Sequence, residues 1–314
     1  MKLHLDTDFG GDPDDACALA MLLGWPGTEL VGITTVLDVE GLRAAYVAHA
    51  LGLVHRADIP LAAGAPVSLT TGLRADPVVG DERHWPRGLA PRPSPPEAAL
   101  ALLARNIDAG AVVAAIGPLT NLALLEAAWP GVLRRARVVA MGGWVLPPHP
   151  GLPNWGPEMD FNVQWDVAAA EAVFHAAGQL ILTTLPATLT AHLRATDLPR
   201  LRASGPLGAL LADQSGVHAE EYGMTVLGRN HAGLPDDLLN VHYDPVACAV
   251  AVGWPGATVE EMGLRALTVD GVLRFRPDAH GRPVGVVVAV DGDGFAETWL
   301  AAVEASQRRE VRPP

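Results

Sequence analysis

The chain has 314 residues, 49% of them hydrophobic and 18% charged, so it can bury a large core and is not a disordered polymer. Lys+Arg 22 against Asp+Glu 35 leaves a net charge of −13, which repels polyanions and argues against nucleic acid or an acidic membrane as a partner. A small neutral substrate is compatible with that charge.

The N-terminus, MKLHLDTD, runs straight into a strand pattern without the apolar stretch of a signal peptide. The longest apolar runs are too short or too interrupted to span a bilayer. The expectation is a soluble cytoplasmic protein. Apolar runs of strand length lie at Lys2–Asp6, Leu30–Leu37, Ile59–Ala63, Ala111–Ile116, Ala136–Met141, Gln179–Thr184 and Val284–Val290. Amphipathic stretches alternate with them: Asp14–Leu23, Gly41–Leu51, Pro96–Ala104, Leu119–Ala128, Val167–His175 and Pro245–Val252. Near-continuous Val/Ile/Leu runs alternating with helices predict an α/β fold. Its sheet is open, mostly parallel (Rossmann-like) and covered by helices on both faces. Ligands of such sheets sit beyond the carboxyl ends of the strands.

Two segments break the alternation. Residues 65–95, rich in Pro, Gly and Arg, read as a long surface loop, and residues 144–160 carry five prolines and two tryptophans. Long loops with aromatics are often functional. The stretch 204–243 reads as helix followed by another loop. No repeat or linker divides the chain, so residues 1–314 are expected to form one domain. Cys17 and Cys248 sit in Ala/Val-rich helical patterns and read as buried thiols of a reducing compartment.

The chemistry concentrates at LDTDFGGDPDDACALAML. Asp6, Asp8, Asp12, Asp14 and Asp15 fall within ten residues, directly after a buried strand. Carboxylates crowded in this way raise one another's pKa unless a cation neutralises them. Oxygen ligands without nearby His or Cys favour Ca²⁺ or Mg²⁺. An acidic helix start on a solvated surface is the plain alternative, since carboxylates are favoured there anyway. The number of aspartates and the paired Gly10 and Gly11 favour the cation.

Further motifs follow in order: GPLTNLA at Gly117–Ala123, VVAMGG at Val138–Gly143, NWGPEMDFN at Asn154–Asn162, and DPVA from Asp244. Together with the opening DTDxG…DDAxAL, this set resembles the inosine–uridine preferring nucleoside hydrolases over most of the chain. The resemblance implies hydrolysis of the N-glycosidic bond of ribonucleosides around a bound Ca²⁺, and a place in nucleoside salvage. It implies metal ligation by Asp8, Asp15, the Thr120 carbonyl and Asp244. It implies sugar contacts from Asp14, Asp38, Asn154, Asp160 and Asn162, with Phe161 packed among them, and a homo-oligomer, dimer or tetramer. Asp8 is then the expected general base for the attacking water.

Three departures stand out. The turn between Asp8 and the Asp14–Asp15 pair is two residues longer than the usual motif, and Asp12 is extra. Asp160 stands where relatives carry Glu, with Glu158 nearby. Tyr243 stands where many relatives carry a purine-activating His, and His242 lies one position earlier. The leaving-group acid is therefore open among Tyr243, His242, His231, His149 and Trp155. His84, alone in the long loop, reads as solvated or structural. A Mg²⁺-dependent phosphohydrolase is the main competitor, because DTD after a strand resembles its DxD motif. Gly10 and the presence of one lysine, Lys2, argue against it. A nucleoside- or ribose-binding relative without activity is the second competitor.

Overall fold

The computed structural model describes residues 1–75, 83–95 and 97–307. In chain order its strands are β1 (Lys2–Thr7), β2 (Glu29–Thr35), β3 (Leu61–Ala63), β4 (Val112–Ala115), β5 (Arg137–Met141), β6 (Gln179–Thr183), β7 (His192–Arg194), β8 (Leu238–Val241), β9 (Ala257–Val269), β10 (Val272–Pro277) and β11 (Arg282–Val290). Its helices are α1 (Asp14–Gly24), α2 (Leu42–Leu53), α3 (Ala98–Asp108), α4 (Thr120–Ala128), α5 (Phe161–Trp165), α6 (Val167–Ala176), α7 (Leu185–Thr188), α8 (Leu198–Ala203), α9 (Pro206–Glu221), α10 (Met224–Asn230), α11 (Tyr243–Ala251) and α12 (Gly292–Gln307).

Among the described residues, nine strands form one sheet in the order β10-β9-β11-β6-β5-β4-β1-β2-β3. From β3 to β11 every neighbouring pair is parallel, and β9 and β10 add an antiparallel edge. The α/β, mostly parallel sheet expected from the alternation is present. The expected strands and helices recur with end shifts of a few residues. Leu37 leaves β2 because its φ is +54°, outside the extended region.

The antiparallel edge was not anticipated. β9 is mostly exposed, so its sequence lacks the apolar run that marks the central strands. The region read as helix and loop holds α9, α10 and β8, and β8 pairs antiparallel with β7 from the segment before it. The expected surface loop at 65–95 is partly buried. Trp85 is enclosed, stacks on Tyr46 at 4.7 Å, and donates to the Gly10 carbonyl at 3.0 Å. Residues 76–82 of that stretch lie outside the described residues.

Every residue of α1 is buried, and α1 packs between α11 and α12. Alanines along ACALAM and VACAVA let α1 and α11 approach closely. Cys17 and Cys248 are buried and free, and Trp299 of α12 donates to the Cys17 carbonyl at 3.0 Å. Close packing of α1 on α11 has a functional result: the first turns of both helices, each acidic, meet at one end of the sheet. Among the described residues no helix is long and apolar enough to cross a membrane.

Candidate active site

The chain reverses direction in the sheet between β1 and β4. β2 and β3 lie on one side of this point, and β5 and β6 on the other. A crevice opens at such a switch point, beyond the carboxyl ends of the strands. Asp8 follows β1 and Gly117 follows β4, so both flank the crevice. A Cβ at Gly117 would lie 2.7 Å from Asp8 Oδ1, so no larger residue fits without displacing that carboxylate. The resulting cavity has a volume of about 640 Å³.

Acids line its floor: Asp8, Asp12, Asp14, Asp15 and Asp244. Asp14, Asp15 and Asp244 each offer an oxygen within 4.8 Å of the others, and all three are buried. Burial, then repulsion from neighbouring aspartates, pushes these three carboxyls well above their ordinary range. Asp8 is raised to about 6, chiefly by burial, with the Arg43 guanidinium pulling the other way. All-oxygen donors that repel one another in an enclosed space fit a hard divalent cation.

The resemblance implies a sugar contact for Asp14. Asp14 lines the cavity and also stands within the carboxylate triad, because α1 begins at Asp14 and its first turn presents both aspartates to Asp244. Asp15 is oriented by the Thr7 hydroxyl, which donates to its Oδ1. Arg43, not anticipated, donates from Nη1 to the carbonyls of Asp8 and Phe9 and from Nε to Leu37 at 3.0 Å. It clamps the turn after β1 and supplies a positive charge beside the acids. A Cβ at Gly10 would fall 2.5 Å from Arg43 Nη1, so a larger residue there would displace the guanidinium from this clamp.

Asp12 also has a place. Its Oδ1 accepts from the Asp14 amide at 3.1 Å and from Asn240 Nδ2 at 2.8 Å, so the longer turn is tied to β8. His218 Nε2 lies 4.0 Å from Asp12 Oδ2. Asp6 lies behind the site, fully buried. It accepts from Thr34 Oγ1 at 2.5 Å and Asn121 Nδ2 at 2.7 Å, and burial raises it to about 7.

Asp160, Phe161 and Asn162 line the cavity wall. The Asp160 carboxylate accepts from the amides of Gly143 and Val163, and burial raises it to about 6 against those bonds. Asn162 Nδ2 donates to the carbonyls of Ile116 (2.9 Å) and Met141 (3.2 Å), which points the amide of α5 across the strand ends. Trp155, Met159, Phe161, Tyr222, Met224 and Leu227 form an apolar rim above these polar groups. A cavity with an acidic floor and an aromatic rim suits a ligand with a polyhydroxyl end and a flat apolar end.

Four expected residues do not line this cavity. Asp38 is buried in its own turn, where its carboxylate accepts from Thr35 Oγ1 (2.6 Å), the Arg43 amide (3.0 Å) and the Ala44 amide (3.0 Å). It shapes the start of α2 and holds Arg43. Asn154 is exposed outside the cavity, consistent with a turn former. Thr120 is fully buried in the first turn of α4, with its hydroxyl donating to Asp166 at 2.7 Å. His242 is enclosed against Trp299 (4.5 Å) and Phe295 (5.5 Å), and burial lowers its pKa to about 3. A ring sealed in the core, with Nε2 unpartnered, cannot protonate a leaving group in the cavity.

The other leaving-group candidates divide. Tyr243 lines the cavity, and burial plus Asp12, Asp14 and Asp244 push its phenol well above the usual range. Trp155 lines the rim, whereas His149 and His231 do not line the cavity. His84 is buried and structural, 3.0 Å from Glu221 through Nε2, with its carbonyl accepting from Gln214. Two further residues escaped sequence reading. His218 lines the cavity from α9, and Asp166 joins a loop, α4 and α6 behind it. Neither stands in a local cluster, so no pattern marked them.

A family model described as inosine-uridine preferring nucleoside hydrolase matches residues 3–297. A pyrimidine-specific ribonucleoside hydrolase RihA of Enterobacter sp. (strain 638) is 32% identical over 312 residues, covering 95% of this chain and 96% of that one. The protein of the same name from Citrobacter koseri is 34% identical over 315 residues, covering 94% and 96%. Among solved structures, a purine-preferring ribonucleoside hydrolase from Gardnerella vaginalis superposes with a TM-score of 0.81 at 22% identity, covering 98% of this chain and 99% of the other. A plant nucleoside hydrolase superposes with a TM-score of 0.79 at 22% identity, covering 97% and 99%. At that identity the superpositions establish the shared fold.

Proposed function

The chain belongs to the inosine-uridine preferring nucleoside hydrolase family, hydrolases acting on N-glycosyl bonds, and from that premise we propose that it splits ribonucleosides into ribose and free base with Ca²⁺ at the cavity floor. One observation carries the cation reading: Asp14, Asp15 and Asp244 converge, buried, at the base of a cavity with an apolar rim. Asp15 and Asp244 are the ligands that both the family pattern and this geometry favour. Asp14 completes the triad, and Asp8 lies beside it. When bound, the ion would supply a positive anchor for vicinal hydroxyls and lower the proton affinity of a water.

The protein groups have separable tasks. Asp8 is the general base. Raised to about 6, it is largely ionised near neutrality yet basic enough to take a proton from the attacking water. Asp160, fixed by two amides, and Asn162, whose nitrogen is already engaged, hold the sugar hydroxyls; the Asn162 amide oxygen remains to accept one. The surrounding carboxylates favour the positive charge that grows on the sugar as the bond to the base breaks. The rim aromatics Trp155 and Phe161 stack on the base and exclude water from that end.

The test is a panel of purine and pyrimidine ribonucleosides assayed for free ribose, with chelator and with Ca²⁺ restored. Ribose release that disappears on chelation and returns with Ca²⁺ is the expected result. Ribonucleoside affinity without any release by the Ca²⁺-loaded protein would make it a binding protein instead. Release untouched by chelation would remove the cation from the reading.

A further inference from the structure

We propose that His218 protonates the departing base, positioned by Asp12 of the lengthened turn. This deepens the ribonucleoside reading above and rests on it. The family pattern places a histidine immediately before Asp244, and Tyr243 stands there instead. The neighbouring His242 is sealed against Trp299 and Phe295. A hydrolase of this kind still needs a donor near the aromatic end of its cavity, because a purine or pyrimidine anion is a poor leaving group.

His218 meets the geometric requirements. It lies within the last turns of α9, only 4% exposed, and lines the cavity. Its ring stacks on Tyr222 at 4.6 Å with an interplanar angle of 26°, continuous with the apolar rim. Nδ1 is enclosed without a partner, while Nε2 is directed toward Asp12, 4.0 Å from Oδ2. Asp12 is itself held by the Asp14 amide and by Asn240. The turn that carries Asp12 is the one lengthened by two residues relative to the family pattern. The altered turn and His218 therefore meet at one point. They form an acid–imidazole pair between the acidic floor and the aromatic rim.

The bond from C1′ to the base nitrogen breaks, and its electron pair stays on that nitrogen. The nitrogen takes a proton from the His218 imidazolium. The oxygen of one water bonds C1′, and the proton it loses passes to Asp8. Exchange of that proton through solvent restores the imidazolium, so one water is consumed and both side chains return to their starting states.

Leaving-group dependence separates this role from a structural one. A ribonucleoside requires protonation of its base, whereas p-nitrophenyl β-D-ribofuranoside releases a stabilised phenolate without help. In Ca²⁺-loaded protein, His218→Gln should lower kcat on uridine and inosine by roughly a hundredfold or more, yet leave the nitrophenyl riboside within about threefold of wild type. Asp12→Asn should show the same selectivity with a smaller loss, about tenfold, because it positions the ring without touching the base. Parallel loss on both substrates in both variants, with unaltered circular dichroism, would overturn the proposal. So would full ribonucleoside turnover by His218→Gln. Failure of the wild type to cleave any ribonucleoside would instead sink the underlying function, so the two failures are distinguishable.

Discussion

Replacing Asp166 by alanine offers a test of how the site is held. This buried side chain accepts from five donors. Oδ2 receives the Leu69 amide (2.8 Å) and the Thr120 hydroxyl (2.7 Å). Oδ1 receives the Thr70 amide (3.0 Å), the Thr70 hydroxyl (2.9 Å) and the Ala169 amide (3.3 Å). The bond to Ala169 caps α6, and loss of such a cap costs about 1 kcal/mol. The Thr120 hydroxyl is fully buried and would be left without an acceptor, at about 1–3 kcal/mol. Leu69 and Thr70 are exposed, so water replaces much of what they lose. Asp166→Ala should therefore destabilise by about 2–4 kcal/mol, a shift of roughly 3–6 °C in Tm for a chain of this size. Urea titration of the Ca²⁺-loaded protein measures it. Thr120→Val removes only one of the five donors and should cost about 1 kcal/mol. If Asp166→Ala loses less than about 1 kcal/mol, the hub does not pin α4 to the loop, and the account of its five bonds is wrong.

Two further outcomes follow from burial. His242, lowered to about 3, stays neutral when folded but protonates in the unfolded chain near its ordinary value. Folding then loses stability as pH falls through that window, because the unfolded state binds more protons. His242→Phe should remove the loss, gaining up to about 2 kcal/mol on wild type between pH 7 and 5 by urea titration. Ribonucleoside turnover should stay within a fewfold; a collapse of kcat would restore His242 as a proton donor. The second outcome concerns the carboxyls of Asp14, Asp15 and Asp244, which burial and repulsion from neighbouring aspartates push well above their ordinary range, so that without a cation they bind protons more tightly than free carboxyls. Ca²⁺ binding should expel those protons, so affinity should rise about tenfold per pH unit for each proton released. Calorimetry in buffers of different ionisation enthalpy reads the release, and a Kd independent of pH contradicts it.

What could be read from the chain alone is what local patterning encodes. Strand and helix positions follow from apolar periodicity within short windows, and parallel pairing follows from strands buried on both faces. The acidic cluster was legible because Asp6 to Asp15 are neighbours in sequence, and the DFN run because Asp160 to Asn162 are neighbours too. The exposed edge strand β9 escaped because a strand outside the core carries no apolar signature. Tertiary structure alone decided which aspartates converge. Asp14 joins Asp15 and Asp244 only because α1 packs on α11. It also decided which histidine faces the cavity: His242 turns to α12 and His218 to Asp12, across 206 residues of chain. Asp38 and Asn154 match the family pattern by residue type, yet their side chains are claimed by a turn or by solvent, and the Thr120 hydroxyl goes to Asp166, a bond that leaves its carbonyl unaffected. Such outcomes depend on partners far away in sequence, and periodicity and spacing carry no information about where those partners arrive.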